Sequence, residues 1–118
     1  MQGFSLLVGH MLGDFILQND WMAAKKTKSS DACAVHCLIY TLALLATCWW
    51  FLPWWTYPVI GLAHFPVDRW RLARKCMDLT GQANFATGPF APWSVIIVDQ
   101  TMHFVVLYLV ALPGALYG

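Results

Sequence analysis

Four long apolar runs separated by short polar stretches organise the chain. They extend from about Phe4 to Ala24, Ala32 to Leu52, Trp54 to Arg71 and Trp93 to Leu112. Each approaches the ~20 residues that an α-helix needs to cross a bilayer. The pattern predicts an all-α fold and no strands. Ser29, Ser30 or Asp31 offers an N-cap for the second helix, Pro53 stops it, and Pro113-Gly114 closes the fourth. The link Pro53-Trp54-Trp55-Thr56-Tyr57 is short and uncharged, so the second and third segments should form a tight antiparallel hairpin. Cys76 to Pro92 carries Gly81, Gly88, Pro89 and Pro92 without periodicity and reads as a plain connector.

Polar residues inside these runs recur at helical spacing. His10, Asp14 and Gln18 follow at steps of four, as do His64 with Asp68, Asp99 with His103, and His36 with Tyr40. Such steps place side chains on one helix face, about 5–6 Å apart. Gly9 and Gly13 form a G-x-x-x-G step that admits a close neighbouring helix. Pro66 removes a backbone bond between His64 and Asp68 and should kink the third helix there.

Composition sharpens the class. The chain is 118 residues, 59% hydrophobic and only 11% charged, whereas a soluble domain carries about 25% charged residues. A net charge of +1 leaves no basic surface for nucleic acid. No basic leader precedes the first apolar run, which should therefore persist as a helix. All lysines and arginines fall in two places: Lys25, Lys26 and Lys28, and Arg69, Arg71, Arg74 and Lys75. The positive-inside rule puts both on the cytoplasmic side and both termini outside. Trp49, Trp50, Trp54 and Trp55 would mark the outer interface, and Trp21, Trp70 and Trp93 the inner one. The expectation is one domain over residues 1–118: a multi-pass protein with four transmembrane helices in an antiparallel bundle.

Burial of the acids then demands a partner. An Asp at a membrane-helix centre costs roughly 2.5–3.5 kcal/mol on insertion scales. Counted along the helices, the histidines and aspartates fall in the cytoplasmic half and can converge. A divalent cation would offset the cost and hold the imidazoles neutral and ligating. The candidate ligands are His10, Asp14, His36, His64, Asp68, Asp99 and His103. His10, Asp14, Asp99 and His103 are the first choice, with His36, His64 and Asp68 completing the site or acting as base. Mixed imidazole and carboxylate donors suit zinc first, then iron or manganese. Their number exceeds one tetrahedral ion, so either two metals bind or some members orient the ligands. Asp68 lies near the edge beside Arg69, Arg71 and Arg74, where a surface ion pair is worth under about 1 kcal/mol. The four cysteines, Cys33, Cys37, Cys48 and Cys76, lack a C-x-x-C pair and read as apolar packing.

The series Gly9-His10 through Gly13-Asp14-Phe15, Gln18 with Asp20-Trp21-Met22, His36-Cys37-Leu38-Ile39-Tyr40-Thr41, His64-Phe65-Pro66-Val67-Asp68-Arg69-Trp70-Arg71-Leu72-Ala73-Arg74 and Val98-Asp99-Gln100-Thr101-Met102-His103 resembles a known family. It is a family of small bacterial and bacteriophage membrane proteins catalogued as a domain of unknown function (DUF3307). The resemblance covers nearly the whole chain. It implies that the seven histidines and aspartates above are signature positions and that the protein works at the bacterial inner membrane. It supplies no reaction.

Three functions fit these residues. The first is a membrane-embedded, metal-dependent hydrolase acting on a lipid or phosphate-bearing ester at the cytoplasmic face. The second is a proton or ion pathway along the Asp–His ladder. The third is a non-catalytic assembly protein, of phage or host association, that binds a membrane partner or a second copy of itself around a structural His/Asp network.

Overall fold

The computed structural model describes residues 1–117, with side chains through Pro113, and all regular structure among these residues is helical. The elements are α1 (Gln2–Met11), a π-helical turn (Leu12–Ile16), α2 (Asp20–Lys25), α3 (Ser30–Cys48), α4 (Thr56–Arg69), α5 (Leu72–Leu79), α6 (Ala83–Thr87) and α7 (Trp93–Tyr117). Two helical stretches, Ser30–Cys48 and Trp93–Pro113, are long and apolar enough to cross a membrane.

The first apolar run is interrupted, against expectation, and the third is a little shorter than expected. In the first, Leu17 N–H donates to Leu12 O at 2.8 Å, the wide i→i+5 bond of a π-turn. Asn19 then leaves helical geometry, and its side chain accepts from Met22 N–H at 2.9 Å to start α2. The third run stays helical through Pro66 but ends at Arg69. Its 14 residues rise about 21 Å, short of the ~30 Å hydrocarbon core. Arg71 occupies the left-handed region (φ 52°, ψ 52°), which disfavours a side-chain-bearing residue by roughly 1–2 kcal/mol, and turns the chain into α5.

The stretch read as a plain connector is therefore partly helical. Ala73 and Met77, one turn apart, are buried on α5, and Ala86 is buried on α6. The Gly/Pro cluster suggests a loop, yet Gly81 (φ 79°) falls between α5 and α6 and Gly88 just after α6, which leaves both helices intact. The fourth run also differs, because α7 continues past Leu112 through Pro113. That proline deletes one donor and crowds the carbonyl of Leu109, whose residue is 58% exposed, so the displaced group has room. Ser29 caps α3 as expected, accepting from Ala32 N–H at 3.4 Å.

Packing partners show how the elements run. Gly13 meets Tyr40 and Gly9 meets Leu44, so α1 is antiparallel to α3. Cys33 pairs with Phe65, His36 with His64 and Gly61 with Thr41, which makes α3 and α4 the expected hairpin. His64 and Asp68 of α4 both reach His103 of α7. One half of the interior is apolar and includes Tyr40, Leu44, Cys48, Leu52, Tyr57, Ile60 and Leu107. The other half, nearer the basic end, holds the histidines and aspartates. Both basic stretches meet there: Arg69 donates to Thr27 O at 2.8 Å and to Ser30 Oγ at 3.3 Å.

The G-x-x-x-G step is used inside the chain. A Cβ at Gly13 would lie 2.9 Å from Tyr40 Cα, and one at Gly9 would lie 3.2 Å from Leu44 Cα. Backbone cannot retreat as a flexible side chain can. Gly13→Ala should therefore cost about 1–3 kcal/mol and lower the thermal midpoint in detergent. Gly3→Ala, with nothing within 4 Å, should leave it unchanged.

Candidate metal centre

The four histidines form a chain in the basic half of the interior, His36 to His64 at 4.9 Å, His64 to His103 at 4.0 Å and His103 to His10 at 5.7 Å between ring centroids. The π-turn bends the chain after His10 so that Asp14 faces α3. Proline at 66 does not separate His64 from Asp68, which share the inner face of α4 at 3.0 Å. Asp68, expected at the surface, is only 3% exposed and sits among three imidazoles. Its Oδ1 accepts from His103 Nε2–H at 3.1 Å. Its Oδ2 lies 3.0 Å from both His36 Nε2 and His64 Nε2, and 3.1 Å from Lys26 Nζ. None of these three nitrogens is aligned on that oxygen for a hydrogen bond.

His36 Nε2 is equally crowded. It lies 3.0 Å from Asp14 Oδ1, 2.9 Å from His64 Nε2 and 3.0 Å from Asp68 Oδ2. One ring nitrogen carries at most one proton and can serve only one of these neighbours well. Asp14 Oδ1 and His64 Nε2 are 3.6 Å apart. One ligand atom each from Asp14, His36, His64 and Asp68 thus falls within 4.8 Å of the others, and all four residues are buried.

The edge lengths identify what such a group can hold. A tetrahedral zinc ion bound at about 2.0–2.1 Å spaces its ligand atoms about 3.3–3.4 Å apart. The five separations that involve an imidazole nitrogen run from 2.9 to 3.6 Å and bracket that value. A second group, Asp14, Asp99 and His103, meets the same 4.8 Å criterion and shares Asp14 with the first. His103 Nε2 is 3.4 Å from Asp99 Oδ2.

The grouping differs from the one expected. His10 joins neither set. Its Nδ1 is hydrogen-bonded to Tyr40 OH at 2.7 Å and its Nε2 to Gln100 Oε1, so both ring nitrogens are occupied. Its role is to brace the group. Gln100 in turn donates to Asp14 Oδ2 at 3.2 Å and to Asp99 Oδ2 at 3.3 Å. Tyr40 stacks on His64 and His64 on His103, each at 4.0 Å between ring centroids, which fixes the imidazole planes.

Three members escaped sequence reasoning as site residues. Gln100 carried a signal, being an uncharged polar residue inside an apolar helix next to Asp99. Tyr40 carried another in its step of four from His36. Lys26 carried none, since Lys25 and Lys28 flank it and topology explained all three. Lys26 is nonetheless only 17% exposed, with Nζ 3.1 Å from Asp68 Oδ2 and 3.9 Å from Asp14 Oδ1. Burial works against its ammonium, but the facing carboxylates of Asp68 and Asp14 outweigh it and hold the pKa above the usual lysine value. The group opens onto a cavity of about 320 Å³ lined by Asp14, Gln18, Lys26, Asp68, Arg71, Arg74, Asp99 and Gln100, among others.

Fold and site together define an all-helical protein with a buried His/Asp centre suited to a metal ion. The model of the family described as "Protein of unknown function (DUF3307)" matches residues 4–116, and the chain belongs to that family. None of the curated proteins and none of the solved structures matches it.

Lys26 supplies a test of the charge balance. Lys26→Met removes the only lysine facing Asp14 and Asp68, and should destabilise chelator-treated protein by about 1–3 kcal/mol. Zinc should restore more of the thermal midpoint in this variant than in wild type. Equal midpoints for variant and wild type under chelator would contradict the pairing.

Proposed function

We propose that this chain is a multi-pass membrane protein that binds a divalent cation through Asp14, His36, His64 and Asp68 and uses it in hydrolysis of a lipid or phosphate-bearing ester. The observation that carries the reading is the convergence of four buried donor atoms within 4.8 Å of one another, with each imidazole nitrogen 2.9–3.6 Å from the other three. Hydrogen bonding alone accounts poorly for that crowding. Two imidazoles and two carboxylates match zinc, with iron or manganese as the alternatives.

The membrane reading rests on surface chemistry. Large apolar side chains point outward along every long element, among them Leu7, Leu38, Leu42, Leu62, Ile97 and Val105. Exposed tryptophans crowd both ends, including Trp54 at one and Trp70 and Trp93 at the other. We read residues 1–118 as one domain crossing four times, with the broken first run and short α4 completing the bundle. Interrupted helices are tolerated at membrane depth where they line protein or a wet cavity. Here the π-turn and the end of α4 both border the cavity. The shared basic end would be cytoplasmic by the positive-inside rule, with the termini opposite, in a bacterial inner membrane.

A bound divalent cation would supply Lewis acidity and lower the pKa of a coordinated water towards about 7. The chain's own groups have distinct tasks. His10 and Gln100 hold the Asp14 carboxylate in place, while Tyr40 and His103 both stack against the His64 ring and fix its plane. Asp99 and the cavity-lining Arg71 and Arg74 face the space a substrate would occupy.

One observation favours a metal-free polar network instead: Lys26 already lies against Asp68 and Asp14. Elemental analysis of detergent-purified protein, prepared without chelator, separates the two. At least one bound divalent ion per chain is expected, lost in His36→Ala and in His64→Ala. Gln100→Leu should retain the ion but weaken its binding by about 10–100-fold, the usual cost of losing a group that orients a ligand. Metal-free wild type that stays folded would favour the network.

A further inference from the structure

We infer that the chain holds a second divalent cation, on the cavity side of the first, between Asp14, Asp99 and His103. This rests on the metal reading above and specifies its nuclearity and the chemistry of the exposed ion. The two inner carboxylates each face two ways. Asp14 Oδ1 lies 3.0 Å from His36 Nε2, while its Oδ2 lies 3.2 Å from Gln100 Nε2 on α7. Asp68 Oδ2 lies 3.0 Å from His36 and His64, while its Oδ1 lies 3.1 Å from His103. One donor atom each from Asp14, Asp99 and His103 falls within 4.8 Å of the others. Asp14 belongs to both donor sets, and a carboxylate so placed is suited to bridge ions about 3.5–4 Å apart, as two-metal hydrolytic sites require.

Accessibility separates the two positions. Asp14, Asp68 and Asp99 line the cavity, but none of the four histidines does. Asp99 is 20% exposed at its side chain, against 2% or less for Asp14, His36, His64 and Asp68. The inner ion would therefore be the less accessible of the two and the outer ion the more readily exchanged. Their donor sets differ as well. Two imidazoles with two carboxylates favour zinc, whereas two carboxylates with one imidazole and open positions for solvent suit manganese or magnesium.

Manganese titration of chelator-treated protein in detergent, followed by electron paramagnetic resonance, tests this. Wild type should bind two equivalents, the second at least tenfold more weakly and lost on dialysis. Asp99→Ala should bind one equivalent and keep it through dialysis. The polar partners of Asp99 are His103 and Gln100 and it bonds to no inner donor, so its loss should leave helicity and elution volume unchanged. Should that variant not fold, wild type with two equivalents still decides: an exchange-coupled spectrum supports a bridged pair, and two isolated six-line signals overturn it. Saturation at one equivalent in wild type, or two in Asp99→Ala, overturns the second ion and leaves the first standing. Binding of no equivalents overturns both.

Discussion

Two carboxylates buried among apolar helices set the terms for the rest of this fold. Asp14 and Asp68 are removed from solvent, and an unpaired carboxylate in such a place costs several kcal/mol. The chain answers with three imidazoles, one lysine and one amide drawn from five different places in the sequence. Each donor requires its helix to approach closely. Glycine at 9, 13 and 61 lets α1, α3 and α4 do so. The acids therefore determine where the helices meet as well as what the centre binds.

The same constraint explains the irregular backbone. A straight helix continued from Phe4 through Lys26 would hold Asp14 and Lys26 about 18 Å apart along its axis, whereas Lys26 Nζ lies 3.9 Å from Asp14 Oδ1. The π-turn at Leu12–Ile16 and the Asn19 cap let the chain fold back, so that Lys26 reaches Asp68 from the side. Arg71, in left-handed backbone, turns α5 away from the end of α4 and leaves the cavity mouth between them. Conformations that cost energy locally fall beside the polar group, as expected where a site dictates backbone geometry.

Much of the site was legible in the sequence, because ionisable residues inside apolar runs are costly enough to be informative. The i, i+4 pairs put His64 with Asp68 and His103 with Asp99, and both pairs are in contact. What spacing along single helices could not give was the pairing between helices. His36 bonds to Asp14 across 22 residues, and His10 turns to Tyr40 and Gln100. Asp68 looked peripheral because three arginines follow it, yet it projects inward while Arg69 bonds to the loop before α3. The helical connector was hidden for another reason: the Gly and Pro residues that punctuate it are conspicuous, whereas the Ala73–Met77 stripe is only two residues long.

The central claim is that Asp14, His36, His64 and Asp68 converge on an ion. X-ray absorption at the zinc edge of zinc-loaded protein tests it most directly. Four light (nitrogen or oxygen) scatterers at about 2.0–2.1 Å, with the outer scattering of two imidazoles, are predicted. A sulfur scatterer at about 2.3 Å, which would implicate Cys33 or Cys37, or a spectrum without imidazole scattering, would contradict it.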